Sequence, residues 1–161
     1  MQYIGSQITT PSIIDELAAD GRYAIYLTVE CFDRRDKLMR ADKANISLER
    51  GREALCYAKN AGLNTSMLYI LGLDPLERIK EEMPKYKDAL TRHPIVNLMQ
   101  AYSAEQESLR HPEARDMDYY ILGRKAIESV FLPTRMRPRS WENYRAPWST
   151  AYGGERLDTI I

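Results

Sequence analysis

Glu30 ends a β-prone run, and Arg34, Arg35 and Arg40 follow within ten residues. A carboxylate accepts hydrogen bonds from ammonium, amide and hydroxyl groups, and a guanidinium forks onto an anion in two parallel bonds. Glu30 is therefore a candidate ligand contact and the arginines a candidate anion site. Two plainer readings stand beside these. Glu30 and Arg34 can close a loop ion pair, and Asp33 and Asp36 interleave the arginines as on a solvated charged helix. Gly72 stands alone after the apolar run Met67–Leu71, without the glycine-rich fingerprint of a phosphate loop. Phosphate chemistry in the loops after Val29 and Leu71 is accordingly the weakest option. Gln100 and Tyr102 close a later apolar run and are candidate substrate contacts. His93 and His111 each precede a proline and share no spacing with a carboxylate or thiol, so no metal site is expected. Cys31 reads as a small buried hydrophobe rather than a reactive thiol, and Cys56 sits inside a helix.

These residues must be held by the elements around them. Met67–Leu71 is short and unbroken, which suits a strand buried on both faces of a parallel sheet. Asp74, Pro75 and Glu77 then read as N-cap, first helical position and N3 of the next helix. Before this βα unit stand three elements. Gln2–Gly5 is a short strand, and Thr10-Pro11 opens a helix with Ile13, Ile14, Leu17 and Ala18 on one face, ending at Gly21. Tyr23–Val29 is the second strand, and a short charged helix follows with Leu38 and Met39 as its anchors. Ser47 caps a helix that buries Leu48, Gly51, Leu55 and Ala58 and stops at Gly62.

After the central unit, Leu76, Ile79, Met83 and Tyr86 line a helix that Pro84 must kink or end. Val96–Tyr102 is the fourth strand, and Pro112 opens the last helix with Met117, Tyr120, Ile121, Arg124, Ile127 and Phe131 at helical spacing. Alternation of this kind implies right-handed crossovers and a parallel α/β sheet of about four βα units over 1–132. From 133 to 161 neither period fits. That arginine- and aromatic-rich tail, with Trp141, Tyr144 and Trp148, is expected to pack on the domain rather than stack on nucleobases.

The chain of 161 residues, 44% hydrophobic and 29% charged, can bury one sizeable core. Lys plus Arg and Asp plus Glu balance at 23 each, which argues against a nucleic-acid or membrane-surface partner. No apolar run approaches the roughly 20 residues of a membrane span. Two cysteines and no secretory signal suit a cytoplasmic protein with free thiols.

Taken in order, Thr28-Val29-Glu30, the arginine-rich segment to Arg40, Ser47-Leu48-Glu49, Ala58–Gly62 and Met67–Glu77 resemble the radical SAM superfamily, near the biotin-synthase and lipoyl-synthase type. Val96–Tyr102 is similar to the last strand of such a barrel. The resemblance implies that the four units belong to a six-unit partial TIM barrel. It implies that Glu30 contacts the amino or ribose groups of S-adenosylmethionine, that Arg34, Arg35 or Arg40 holds its carboxylate, and that Ile70 and Gly72 lie against the adenine. The family carries a [4Fe–4S] cluster on a CxxxCxxC loop, and this chain has only Cys31 and Cys56, 25 residues apart. The chain alone is therefore expected to bind S-adenosylmethionine weakly and to perform no radical chemistry, and no catalytic residue is assigned. Met1 is expected to be an internal start, with either a cluster-bearing N-terminal fragment or self-association completing the barrel. The alternative is a non-catalytic βα binding or assembly module of the same lineage.

Overall fold

The computed structural model describes residues 1–131 except Ser6, so the expected tail over 133–161 and its boundary at 132 lie outside the described residues. The chain runs β1 (Gln2–Gly5), α1 (Pro11–Asp20), β2 (Ala24–Glu30), α2 (Arg35–Leu38), α3 (Ala41–Ala44), α4 (Leu48–Asn60), β3 (Asn64–Leu71), α5 (Leu76–Glu82), β4 (Ile95–Leu98), α6 (Ala104–Ser108) and α7 (Met117–Phe131). Single 3₁₀ turns cover Met83–Tyr86 and Pro112–Arg115.

Local chemistry accounts for most of these boundaries. Pro11 occupies the first turn of α1, and the Ile13 and Ile14 N–H groups donate to the Thr10 carbonyl. The Ser47 hydroxyl accepts from the Arg50 N–H at 3.1 Å, a cap worth about 1 kcal/mol. Pro84 cannot supply an N–H to α5, which stops at Glu82 and tightens into the 3₁₀ turn.

The four strands are parallel and lie in sequence order, β1-β2-β3-β4. Sequential parallel strands joined by right-handed crossovers place the main connecting helices on one face. The core shows this directly. Its sheet members are Ile25, Leu27 and Val29 of β2, Met67, Tyr69 and Leu71 of β3, and Val96 of β4, which alternation and register assign to a single face. Against them pack Ile14 of α1, Leu55 and Ala58 of α4, Ile79 of α5, and Ile127 and Phe131 of α7. Gly123 lets α7 approach closely, since a Cβ there would stand 2.7 Å from Leu71 Cδ1. At about 25 cal/mol per Å² of apolar surface, each fully buried leucine or isoleucine of this layer contributes about 1.5–3 kcal/mol.

The opposite face differs from the expectation for Met67–Leu71. Leu68 and Ile70 are only half-buried, as are Ile95 and Asn97 beside them, whereas Met67, Tyr69 and Leu71 are fully enclosed. β3 is thus sealed on the helix side and partly open on the other.

Three boundaries are corrected. Asp74 does not cap α5: its carboxylate is fully buried and bonded elsewhere, while the Leu76 N–H donates to Glu113 Oε2 at 3.0 Å. β4 stops at Leu98 because, after the Met99 N–H bonds the Leu71 carbonyl, the Gly72 carbonyl takes the His111 N–H, not a further β4 residue. Pro112 opens only a 3₁₀ turn, and the final helix starts at Met117, with Asp116 Oδ1 accepting from the Asp118 N–H at 3.0 Å. Its inward face is Tyr119, Gly123, Arg124, Ile127, Glu128 and Phe131, so Met117 is left exposed and Ile121 half-buried.

Candidate functional site

At the carboxyl end of β2 the pairing with β3 slips. Thr28 pairs with Leu68 and Glu30 with Tyr69, so β2 carries one extra residue and bulges. The Cys31 N–H closes back on the Val29 carbonyl at 2.9 Å, and Glu30 at the centre of this three-residue turn has φ 67°. That is the strained hand of the γ-turn, and Glu30 is the only non-glycine with positive φ among the described residues. A side chain held this way costs of order 1–3 kcal/mol and persists only where its surroundings over-determine it.

The bulge aims Glu30 into a cavity of about 380 Å³, lined by Thr28, Glu30, Leu38, Met39, Arg40, Lys43 and Ile70. Thr28 and Ile70 form the floor on the more open face of the sheet. Leu38 of α2, Met39, Arg40 and Lys43 of α3 form the wall. The Glu30 carboxylate makes no hydrogen bond or salt bridge among the described residues. Burial raises its pKa above the usual glutamate range, and the positive charges of Lys43 and Arg35 pull it part of the way back. The site therefore presents one partly desolvated carboxylate, two cations on its rim, one hydroxyl, and an apolar surface from Leu38, Met39 and Ile70. Such a lining suits a small molecule that has an apolar body and charges of both signs.

A second carboxylate holds the loops behind the cavity. Asp74 Oδ2 accepts from the Phe32 N–H at 2.8 Å and the Tyr69 hydroxyl at 2.8 Å, and Oδ1 accepts from the Asp33 N–H at 3.1 Å. The Tyr119 hydroxyl donates to the Asp74 carbonyl at 2.6 Å. Burial raises the Asp74 pKa, and the bonds from Phe32, Asp33 and Tyr69 oppose the rise. Arg34 reaches across the same gap and donates from Nη2 to the Leu73 carbonyl. The β2–α2 and β3–α5 loops are thereby joined into one rim.

Of the residues singled out in the sequence, Glu30, Arg40 and Ile70 line this one cavity. Arg34 is turned to the loop carbonyl instead. Gly72, with φ 124°, sits where a Cβ would meet Met99 Cβ at 2.5 Å, so its close approach is to the protein's own side chain. Gln100 and Tyr102 lie beyond β4, bonded to each other at 2.8 Å, with the Tyr102 N–H on Gln106 Oε1 at the start of α6 and the Tyr102 ring 84% exposed.

Sequence reasoning passed over Lys43 and Thr28. Thr28 was legible from alternation with Glu30, but Lys43 depends on how α3 folds back, and no spacing rule announces that. Cys31 is fully enclosed and burial pushes its thiol up to about 12, as befits a packing residue. Among the described residues no group of three His, Cys, Asp or Glu side chains is placed to hold a metal ion. The iron–sulfur cluster implied by the resemblance does not fit this chain's thiols. No helix among the described residues is long and apolar enough to cross a membrane. No protein-family model matches the chain, and no curated protein matches it significantly.

Proposed function

We propose that this chain is the ligand-binding arc of a radical SAM-type barrel domain, holding S-adenosylmethionine without supplying the cluster that would cleave it. The observation that supports this most is Glu30: a strained, partly desolvated carboxylate with no hydrogen bond or salt bridge among the described residues, facing Arg40 and Lys43 across a cavity at the strand ends. Glu30 would receive the amino or ribose donors of the ligand. Arg40, with Lys43 beside it, would take the carboxylate, and Ile70 the adenine. Arg34 and Gly72 keep the rim in shape. The ligand would bind weakly, because this chain has no CxxxCxxC loop to hold the cluster that would chelate it.

Titration calorimetry tests the reading. S-adenosylmethionine should bind the chain, and Glu30→Gln with Arg40→Ala together should weaken it about 100-fold, the loss of two charge-assisted contacts. Unchanged affinity in that double variant would remove both residues from the site.

The absence of the three-cysteine loop favours a second reading, a non-catalytic βα binding or assembly module. Co-expression with a cluster-bearing N-terminal fragment separates the two. A stable complex that cleaves S-adenosylmethionine supports the enzyme part, and failure of the fragments to associate supports the module.

A further inference from the structure

The strained turn at Glu30 is held by its own strand through a single bond. That bond is Cys31 N–H to Val29 carbonyl, and the two residues after Cys31 are fastened to the loop that follows β3. The two N–H groups that follow, of Phe32 and Asp33, both end on the Asp74 carboxylate. Tyr69, the β3 residue that pairs with Glu30 across the bulge, donates its hydroxyl to the same carboxylate. The Phe32 ring stacks on Tyr69 with centroids 5.0 Å apart. One buried carboxylate thus fixes the backbone on the far side of the turn to the strand residue opposite Glu30.

We propose that Asp74 is the positioning residue of the cavity: by anchoring Phe32 and Asp33 it holds Glu30 in its left-handed conformation and so keeps the Glu30 carboxylate inside the site. Asp74 does not line the cavity, so it acts through Glu30 and not on a ligand. Without the anchor, only the Cys31 N–H to Val29 carbonyl bond would hold Glu30 left-handed, and an extended φ would carry the Glu30 side chain away from Arg40 and Lys43. The inference takes from the proposed function only that Glu30 faces a ligand.

The direct readout is the Glu30 φ, taken from backbone scalar and residual dipolar couplings of the full chain. Asp74→Asn leaves an amide that cannot accept from both N–H groups and the hydroxyl, and Glu30 should move to negative φ. Tyr69→Phe keeps the Asp74 charge and removes one donor, and should produce the same change in part of the population. Leu55→Ala, a core substitution in α4, controls for lost stability and should leave the Glu30 couplings as they are. Should Asp74→Asn fail to fold, Tyr69→Phe against Leu55→Ala carries the comparison. Uptake of S-adenosylmethionine should fall about tenfold in Tyr69→Phe and not in Leu55→Ala. Positive φ at Glu30 retained in both Asp74→Asn and Tyr69→Phe, or in Tyr69→Phe where Asp74→Asn does not fold, would overturn the inference. Couplings that respond to these substitutions, with no S-adenosylmethionine taken up by the wild-type chain, would leave the positioning role standing and sink the cofactor reading instead.

Discussion

Arg34 donates from its guanidinium to the Leu73 carbonyl, tying the loop after β2 to the loop after β3. Arg40, six residues on, makes no such bond among the described residues and lines the cavity. The two arginines should therefore separate in experiment. Arg34→Ala should cost about 1–2 kcal/mol of stability, the worth of a charge-assisted bond to a part-buried carbonyl. Arg40→Ala should change stability by less than about 0.5 kcal/mol, as for an exposed side chain, and weaken ligand uptake. Denaturant melts paired with calorimetry check both. Equal stability losses would show that Arg40 also braces the loop.

Glu30 should show the opposite of a stabilising carboxylate. Its folded pKa lies above its unfolded value, so its stability contribution is fully present below about pH 4.3 and is lost as pH rises through the folded pKa. Glu30→Gln should therefore melt higher than wild type at pH 7, with the gap closing towards pH 4. Thermal melts across that range decide. A variant less stable at neutral pH would mean that the Glu30 charge is paired in solution.

The two thiols should react unequally. Cys31 is enclosed and its thiol is pushed up to about 12 by burial and by the neighbouring Asp74 charge, whereas Cys56 is half-buried on α4. A thiol reagent should modify one cysteine in the native chain and the second only on unfolding. Anaerobic reconstitution should give no stoichiometric [4Fe–4S] absorption, since two such thiols cannot replace three clustered ones. Native modification of both cysteines at similar rates would contradict the enclosure of Cys31.

Gly72→Ala should be the costliest small substitution near the site. Its φ of 124° disfavours any side chain, and the added methyl would overlap Met99 Cβ. The cost should be about 2–4 kcal/mol, strain and overpacking together. Gly123→Ala, which meets only the end of the Leu71 side chain, should cost less. Chemical denaturation of the two variants ranks them.

The sheet edges offer a last test. β1 pairs only with β2 and β4 only with β3 among the described residues, and Ile4 on β1 is 55% exposed. Unpaired edges recruit strands. Sedimentation velocity should show the chain self-associating with rising concentration, and Ile4→Lys should suppress it. A monomer at all concentrations would mean that the edges are covered.

Alternation of strand and helix, read from apolar spacing and turn residues alone, determined the architecture of this protein: four parallel strands, α1 after Pro11, α4 after Ser47, and the break at Pro84. Those signals are local, and local backbone preferences decide them. The same local logic misassigned Asp74. Asp-Pro-Leu-Glu has the spacing of a helix cap, but two N–H groups 41 and 42 residues away needed a buried acceptor, and the tertiary demand outweighed the cap. The nearness of Glu30 and Ile70 could be anticipated, since the carboxyl ends of neighbouring parallel strands share one edge of the sheet. The left-handed turn at Glu30, the diversion of Arg34 to Leu73 and the arrival of Lys43 could not. Each depends on which backbone groups remain unbonded after the loops meet, and only the folded chain decides that.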